Sequence, residues 1–222
     1  MRRGLHQDLN FVLPDKDNYL GYPQYFNKLY VGDGLMDDSE QFNILAHHCR
    51  FSPPDVRALM PNDTVKVAIV RHPVPLFESL FNFYDLGKYW GRQKALTLTE
   101  FLSRTEEEIK HLISSVDRMG YRIGQNQLAF DFGFDPYFMN NQSVFEQFVH
   151  MLGEEFQLVM LTEYLEVSMV LLADLMCWPL EEVAFIPLNV RTDSRLPQLS
   201  ALHKRKIEKI NRQDVSIYDF FQ

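Results

Sequence analysis

The sequence has few cysteines and no long apolar run. Two of its 222 residues are cysteines, Cys49 and Cys177, so at most one disulfide can form, and their spacing is not that of a metal site. The longest strongly apolar stretch, Leu158–Leu180, is interrupted by three acidic side chains. It therefore lacks the roughly 20 apolar residues that a membrane-spanning helix needs. We expect no metal site and no membrane span in this chain.

Positive charge and targeting signals are also scarce. Lys and Arg number 22 against 30 Asp and Glu, a net charge of −8, which argues against a nucleic-acid or anionic-membrane surface. The first eight residues lack the apolar core of a signal peptide. Two sequons, Asn62-Asp63-Thr64 and Asn141-Gln142-Ser143, support a secretory route only weakly, because about one is expected by chance.

The composition is that of an ordinary folded protein, with 46% hydrophobic and 23% charged residues. No repeat, Gly/Ser linker or sharp compositional break divides the chain, so we expect one domain over residues 1–222. Short apolar runs alternate with helical patterns, which predicts an α/β fold with ligands at the carboxyl ends of the strands. The predicted strands are Leu9–Leu13, Phe42–Ala46, Val65–Val70, Phe156–Leu161 and Val183–Leu188. The runs near Val67 and Val159 lack polar alternation, as expected for parallel strands buried on both faces.

Three helical patterns lie between these runs. Ser143 with Glu146 forms a predicted capping box for a helix that ends at Gly153. Thr97 with Glu100 predicts a second box, and the apolar pattern after it continues to residue 120. A third apolar stripe is predicted to belong to the core; it consists of Leu165, Met169, Leu172 and Met176.

An arginine and a serine follow the apolar run that ends at Val70. Arg71 comes directly after the run, Pro73 or Pro75 suits the first turn of a helix, and Ser79 lies about one turn into it. A guanidinium at a strand end and a hydroxyl near the positive end of a helix can both face one phosphate. The pattern predicts an anion pocket. The alternative is that Arg71 pairs with a carboxylate and Ser79 packs in a helix face, and spacing alone favours it.

Two histidines follow the run Phe42–Ala46. If that run is a parallel strand, His48 lies at its carboxyl end, where an imidazole that titrates near neutral pH can act as a general base. Adjacent histidines point to opposite faces of a strand, so His47 and His48 do not form a metal pair. The alternative is one core histidine and one exposed histidine without a chemical role, and the sequence alone favours it somewhat.

Two further segments have weaker signals. The polar, basic segment Leu188–Arg195 contains Arg191, which could close over an anion, although a solvated turn explains the segment more simply. The aromatic stretch Phe81–Trp90 could stack on a sugar ring, although core packing explains most of it.

In combination, these segments resemble the galactose-3-O-sulfotransferase family. The family's Arg-Asp-Pro and Phe-Glu-Ser elements match residues 71–73 and 77–79, with His72 in place of the aspartate. Its Asn-His-Met-Arg-Phe segment matches residues 47–51, and further matches lie at 130–133, 175–178 and 188–191, in family order along nearly the full chain.

The resemblance implies a P-loop-like sulfotransferase fold, with a mostly parallel central sheet flanked by helices. In this fold Arg71 and Ser79 would hold the 3′-phosphate of the donor, 3′-phosphoadenosine 5′-phosphosulfate (PAPS), and Arg191 would add a further donor group. His48 would be the catalytic base, and no metal is implied. The implied reaction is sulfuryl transfer to the 3-hydroxyl of a terminal galactose on a glycolipid or glycan, in the Golgi. Galactosylceramide, galactose-capped glycoproteins and oligosaccharides all fit as the acceptor.

The sequence departs from the family at its amino-terminal end. The Lys-Thr/His-rich loop that grips the 5′-phosphosulfate has no counterpart, no Gly-x-x-x-x-Gly-Lys-Ser/Thr motif occurs, and the family's type II membrane anchor is not visible. We therefore expect a fold that is incomplete at the N-terminus, with unpaired strand edges. The main alternative function is a truncated, non-catalytic nucleotide- or glycan-binding fragment. A nucleotide kinase is a third reading, which the missing Walker lysine disfavours.

Overall fold

A computed structural model of the protein describes residues 9–15, 18–32, 41–91, 94–115, 123–185 and 199–222. These residues form ten α-helices and two β-strands. The helices are α1 (Pro53–Leu59), α2 (Pro73–Phe83), α3 (Leu86–Trp90), α4 (Leu98–Leu102), α5 (Glu106–Ser115), α6 (Gln127–Asp131), α7 (Gln142–Glu155), α8 (Leu165–Leu175), α9 (Ala201–Ile210) and α10 (Arg212–Phe221). The strands are β1 (Val67–Val70) and β2 (Leu158–Leu161).

Backbone contacts divide the chain into two compact units. The first consists of Met1–Lys66 and Ala129–Glu155, and the second of Val67–Leu128 and Phe156–Gln222. The single domain expected over residues 1–222 stays a prediction. No helix in the described ranges has both the length and the apolar character that a bilayer crossing requires.

The first unit contains isolated parallel bridges where two strands were predicted. Phe11 bridges Ile44, so the predicted strands Leu9–Leu13 and Phe42–Ala46 do pair, but only through this single bridge. The pairing is short because the chain after Phe42–Ala46 bonds to a different segment: the N–H of Leu20 donates to the carbonyl of His48 at 2.8 Å. The buried side chains that form the core of this unit are Val12, Leu20, Phe26, Val56 and Met60.

Helix α7 of the first unit is capped differently from the prediction. The capping box at Ser143 is wrong, because the Asn141 side chain accepts the N–H of Val144 at 3.2 Å and the helix begins at Gln142. The helix also passes through Gly153 and ends at Glu155. Asn and Ser are both common N-cap residues, and in this helix Asn141 is the cap instead of Ser143.

The second unit contains the parallel pair predicted from the apolar runs. β1 and β2 are parallel, with Val67 opposite Leu158 and Val70 opposite Leu161. This confirms an α/β fold with a small parallel sheet in the described residues, while the P-loop-like topology stays a prediction. The expected burial on both faces is wrong for β1, since Ile69 is 49% exposed.

One strand prediction in the second unit is wrong where the structure describes it. Val183 ends a 3₁₀ turn, Leu180–Val183, that follows Pro179. Acidic residues occupy the first turn of this segment, and its next two residues are irregular. Positions 186–188 of the predicted strand lie outside the described residues.

The helices of the second unit confirm one capping box and add another. Thr97 and Glu100 cap α4 reciprocally, with the Thr97 N–H donating to the Glu100 carboxylate at 2.7 Å. The helix nevertheless stops at Leu102, because Thr105 and Glu108 form a second box that starts α5. The stripe expected in the core of α8, Leu165 to Met176, is half-buried, and Ser168 and Ala173 are the buried positions of that helix.

Aromatic packing dominates the interior of the second unit. The buried rings of Phe77, Phe81, Trp90 and Phe101 contact one another with centroids 4.6 to 6.5 Å apart. The buried part of the aromatic stretch Phe81–Trp90 is therefore core. This cluster packs α2 against α3 and α4.

Candidate functional site

The turn between β1 and α2 presents a cation, Arg71, that none of the described residues neutralises. β1 ends at Val70, and Arg71 follows it at the carboxyl edge of the parallel pair. Arg71 is half-buried, and no described residue forms a hydrogen bond or ion pair with it. Pairing of Arg71 with a carboxylate, the alternative favoured by spacing alone, is thus not found in the part of the chain that the structure describes.

His72 explains why the family's aspartate can be replaced at this position. It is the N-cap of α2, and its Nδ1 accepts the N–H of Val74 at 3.2 Å. An aspartate carboxylate commonly makes the same bond at an N-cap. The substitution therefore preserves the N-cap hydrogen bond of α2 with a side chain other than a carboxylate.

In the first turn of α2, each residue either donates its N–H to another group of the protein or is a proline without an N–H. Pro73 and Pro75 have no N–H, Val74 donates to the His72 ring, and Leu76 donates to the His72 carbonyl at 3.1 Å. The backbone N–H groups of this turn are therefore not free to bind an anion, and the expected anion pocket stays a prediction. An anion at this turn would depend on side chains.

Ser79 lies deeper in α2 than predicted. The helix begins at Pro73, so Ser79 is about 9 Å further along the axis, nearly two turns into the helix. Helical periodicity places it on the side opposite the buried Phe77 and Phe81. Ser79 is half-buried and is not part of the aromatic core; its role as a phosphate ligand and the alternative of a small residue on a packed helix face both stay open.

Sequence reasoning missed Glu163, which lies at the same edge of the sheet. It follows β2 in a 3₁₀ turn, and its carboxylate accepts the backbone N–H of His72 at 2.9 Å and the Tyr218 hydroxyl at 3.1 Å. Tyr218 also packs edge-on against the His72 ring, with centroids 5.1 Å apart. The position of Glu163 directly after a predicted strand was the available signal. Its carboxylate fixes the backbone beside Arg71.

Tyr218 keeps its proton because of this environment. The side chain is 3% exposed, and burial, followed by the negative charge of Glu163, raises the pKa of Tyr218 to about 12. The phenol therefore donates its hydrogen bond to Glu163 throughout the neutral range.

In the first unit, His48 is exposed and its imidazole has no hydrogen-bond partner among the described residues. The ring lies beside Tyr19, with centroids 5.5 Å apart, and beside the half-buried His47 at 6.0 Å. The imidazole is thus accessible to a substrate hydroxyl. One exposed and one more buried histidine also fit the alternative stated for this pair.

Arg50 fixes the segment that carries His48. It is 7% exposed, its Nε donates to the Phe130 carbonyl at 3.0 Å, and Nη2 donates to the Phe134 carbonyl at 2.7 Å. Its guanidinium carbon also lies 3.8 Å from the Tyr25 ring centroid and 4.0 Å from that of Phe130. Arg50 is therefore a structural residue and is not available to a sulfate.

The segments 47–51 and 130–133, both singled out in the sequence, pack directly on each other. The N–H of Phe51 donates to the Asp131 carbonyl at 2.8 Å. Gly133 has φ +94°, and a Cβ there would lie 2.3 Å from the Phe51 carbonyl oxygen. Only glycine allows this approach. The Phe-Asp-Phe-Gly segment thus supports the histidine segment and is not itself a reaction centre.

Three remaining expectations concern Arg191, metals and cysteines. Arg191 lies outside the described residues, so its role stays a prediction. The described residues contain no group of three or more His, Cys, Asp or Glu side chains placed to hold a metal ion. Cys49 and Cys177 are free thiols. Burial, with a contribution from the charge of Asp131, raises the pKa of Cys49 to about 11.

Arg71 of the second unit has no partner among the described residues, and His48 of the first unit is exposed. An unpaired guanidinium can bind an anion, and an accessible imidazole can accept a proton. Comparison with known proteins defines the class. The model of the family described as galactose-3-O-sulfotransferase matches residues 1–222. The chain belongs to the galactose-3-O-sulfotransferase family.

Individual relatives agree with the family assignment. The chain is 32% identical to human galactosylceramide sulfotransferase over 99% of its own length and 51% of that protein. It is 32% identical to mouse galactose-3-O-sulfotransferase 2, over 96% of the chain and 54% of the relative. The corresponding values for human galactose-3-O-sulfotransferase 3 are 32%, 94% and 47%. The chain thus spans about half the length of these relatives. No solved structure gave a significant match.

Proposed function

We propose that this chain belongs to a PAPS-dependent Golgi sulfotransferase with a P-loop-like fold. The enzyme transfers a sulfuryl group to the 3-hydroxyl of a terminal galactose on a glycolipid or glycan. The names of the relatives, galactosylceramide sulfotransferase and galactose-3-O-sulfotransferase, support this acceptor class. The donor is the general sulfuryl donor of such enzymes.

The main support for the proposal is that Arg71 has no anionic partner among the described residues. A half-buried guanidinium is seldom left without an anionic partner, because burial of an unpaired charge costs free energy. Arg71 has no such partner among the described residues, and it lies at the carboxyl edge of a parallel pair, the usual place for a ligand in α/β proteins. A phosphate of the donor supplies the missing charge.

Side chains would hold this phosphate without help from the helix end. Because the first-turn N–H groups of α2 are committed or absent, the 3′-phosphate of the donor would depend on Arg71 and on the Ser79 hydroxyl. Arg191 is assigned a supporting contact with the donor. An arginine fork can make two parallel hydrogen bonds to a phosphate, which gives orientation as well as affinity.

His48 is assigned the proton transfer. As the galactose 3-oxygen forms its bond to sulfur, the bond between sulfur and the 5′-phosphate oxygen breaks. The hydroxyl proton passes to an imidazole nitrogen of His48, and the electron pair leaves with adenosine 3′,5′-bisphosphate. The exposed imidazole without a protein hydrogen bond supports this role.

A sulfate-transfer assay tests the proposal. The protein is incubated with PAPS and with galactosylceramide, lactose or a galactose-terminated glycopeptide, and sulfated product is measured. We expect transfer to at least one acceptor. We expect His48→Ala to lower turnover by about 10²- to 10⁴-fold, as for loss of a general base, while the adjacent His47→Ala changes it by no more than a few-fold. Equal losses in the two variants would contradict the role of His48.

The same assay separates the two candidate functions. Binding of adenosine 3′,5′-bisphosphate without transfer to any acceptor would support the non-catalytic nucleotide-binding alternative. Absence of both binding and transfer would reject the sulfotransferase proposal and the nucleotide-binding alternative together.

A further inference from the structure

A cleft lined by tyrosines lies beside His48 in the first unit. It encloses about 410 Å³, within the range typical of small-molecule sites, and it is open to solvent. Its lining includes Asp15, Tyr19, Gly21, Tyr22, Leu29 and Tyr30. We infer that this cleft binds the galactose ring of the acceptor and so delivers its 3-hydroxyl to His48. This inference rests on the proposed function for its choice of sugar.

The tyrosine rings present apolar surface that the fold leaves uncovered. Tyr19 is 39% exposed and Tyr30 is 38% exposed, although both carry large aromatic faces. One face of a pyranose consists of C–H groups that pack on such rings, while its hydroxyls remain free for polar partners. An aromatic surface with a few polar groups is the usual lining of a small-ligand site. Here those polar groups are the hydroxyls of Tyr19 and Tyr30.

The backbone is shaped to hold Tyr30 in the cleft wall. Gly21 has φ +77°, and a Cβ at this position would lie 2.1 Å from the Tyr30 ring. The Tyr30 ring therefore packs directly against the backbone of Gly21, and the side chain of any other residue at position 21 would clash with it. Such a close fit fixes the orientation of the ring before any ligand binds.

The opposite part of the wall is also held in place. The Tyr22 hydroxyl donates to the Asp131 carboxylate at 3.1 Å, and its ring packs edge-on against Phe130, with centroids 6.0 Å apart. Tyr22 in turn lies 6.2 Å from Tyr19. These contacts connect the cleft to the segment 130–133, which also supports the histidine segment.

The cleft and His48 share a wall. The ring of Tyr19 lines the cleft and lies 5.5 Å from the imidazole of His48. The Leu20 N–H, next in the chain, donates to the His48 carbonyl at 2.8 Å, so the two segments cannot separate without breaking a backbone bond. His48 does not itself line the cleft, but a sugar that packs on Tyr19 would contact the ring that touches the imidazole, which supports delivery of its 3-hydroxyl to His48.

Binding of methyl β-D-galactoside to the full chain tests the inference without requiring turnover. We expect ligand-observed NMR titrations to show that Tyr19→Leu and Tyr30→Leu each weaken binding by about two- to tenfold, the usual worth of one aromatic contact. Tyr19→Phe should retain most of the binding, since it keeps the ring. Gly21→Ala should weaken binding like Tyr30→Leu, because the added methyl group displaces that ring. The matched control is Tyr137→Leu, which alters a tyrosine that is 86% exposed and outside the cleft.

The outcomes are distinct from those of the transfer assay. Absence of galactoside binding, unchanged binding in both cleft variants, or an equal loss in Tyr137→Leu would overturn the inference. Galactoside binding that depends on Tyr19 and Tyr30, in a protein that transfers no sulfate, would support the cleft and reject the proposed reaction. Unfolding curves show whether each variant is folded, so that binding is compared between folded proteins.

Discussion

Replacement of Arg50 by methionine should destabilise the first unit strongly. The change removes both donors to the Phe130 and Phe134 carbonyls, which lie 3.0 and 2.7 Å from the guanidinium nitrogens. Leaving the Phe134 carbonyl without a donor costs about 1–3 kcal/mol. The Phe130 carbonyl keeps the Gly133 N–H at 2.9 Å, so there the change removes one hydrogen bond from a charged donor, worth about 1.5–3 kcal/mol. Loss of the two ring contacts adds to this, and the apolar packing of methionine offsets part of it. We expect the free energy of unfolding to fall by about 3–5 kcal/mol.

Urea denaturation followed by circular dichroism measures this change. The matched control is Arg57→Met in the same unit, which removes an ion pair with Glu155 from an arginine side chain that is 55% exposed and should cost less than about 1 kcal/mol. Arg50→Lys should recover only part of the loss, because an ammonium lacks the planar fork that reaches two carbonyls and stacks on two rings. A loss for Arg50→Met no larger than that of Arg57→Met would refute the anchoring role of Arg50.

Two further predictions follow from the pKa shifts. The pKa of Tyr218 is raised in the folded state, from about 10 to about 12, so its contribution to stability is complete below pH 10 and is lost as pH rises from 10 to 12, by up to about 1.4 kcal/mol per pH unit. Tyr218→Phe should remove this pH dependence from the free energy of unfolding. Glu163→Gln should lower the pKa of Tyr218, which tyrosinate absorbance measures. Unchanged curves in both variants would contradict the contact between Tyr218 and Glu163. At pH 8 a thiol reagent should modify the exposed Cys177 quickly and Cys49 slowly, because a pKa of about 11 leaves little Cys49 thiolate. Equal rates in the native protein would contradict the burial of Cys49, and urea should abolish the difference.

Local signals in the sequence predicted the elements around Arg71 well. A continuous apolar run marks a strand, so β1, β2 and the exit of Arg71 from β1 were predictable, whereas the expected burial of β1 on both faces was wrong. The box at Thr97 depends only on residues three apart and was predicted for the same reason. The start of α2 was ambiguous because both Pro73 and Pro75 suit a first turn, and this ambiguity displaced Ser79 by more than half a turn.

Contacts between distant segments were not predictable. Arg50 meets carbonyls 80 and 84 positions away in the chain, and Glu163 accepts an N–H from a residue 91 positions away. Pattern and propensity report on neighbours within a helix or strand and carry no information about which segments pack together. The tyrosine cleft escaped sequence analysis for the same reason, since its wall depends on the ring of Tyr30 lying against Gly21.

The most direct test of the account is whether Arg71 recognises the 3′-phosphate of the donor. Calorimetry compares adenosine 3′,5′-bisphosphate with adenosine 5′-monophosphate, which lacks that phosphate, on wild-type protein and on Arg71→Ala. We predict that the 3′-phosphate strengthens binding to the wild type by about 10- to 100-fold, the worth of charge-assisted hydrogen bonds, and that Arg71→Ala loses most of this gain. The exposed Arg205→Ala control should retain it. An equal preference for the bisphosphate in wild type and Arg71→Ala would contradict the central claim.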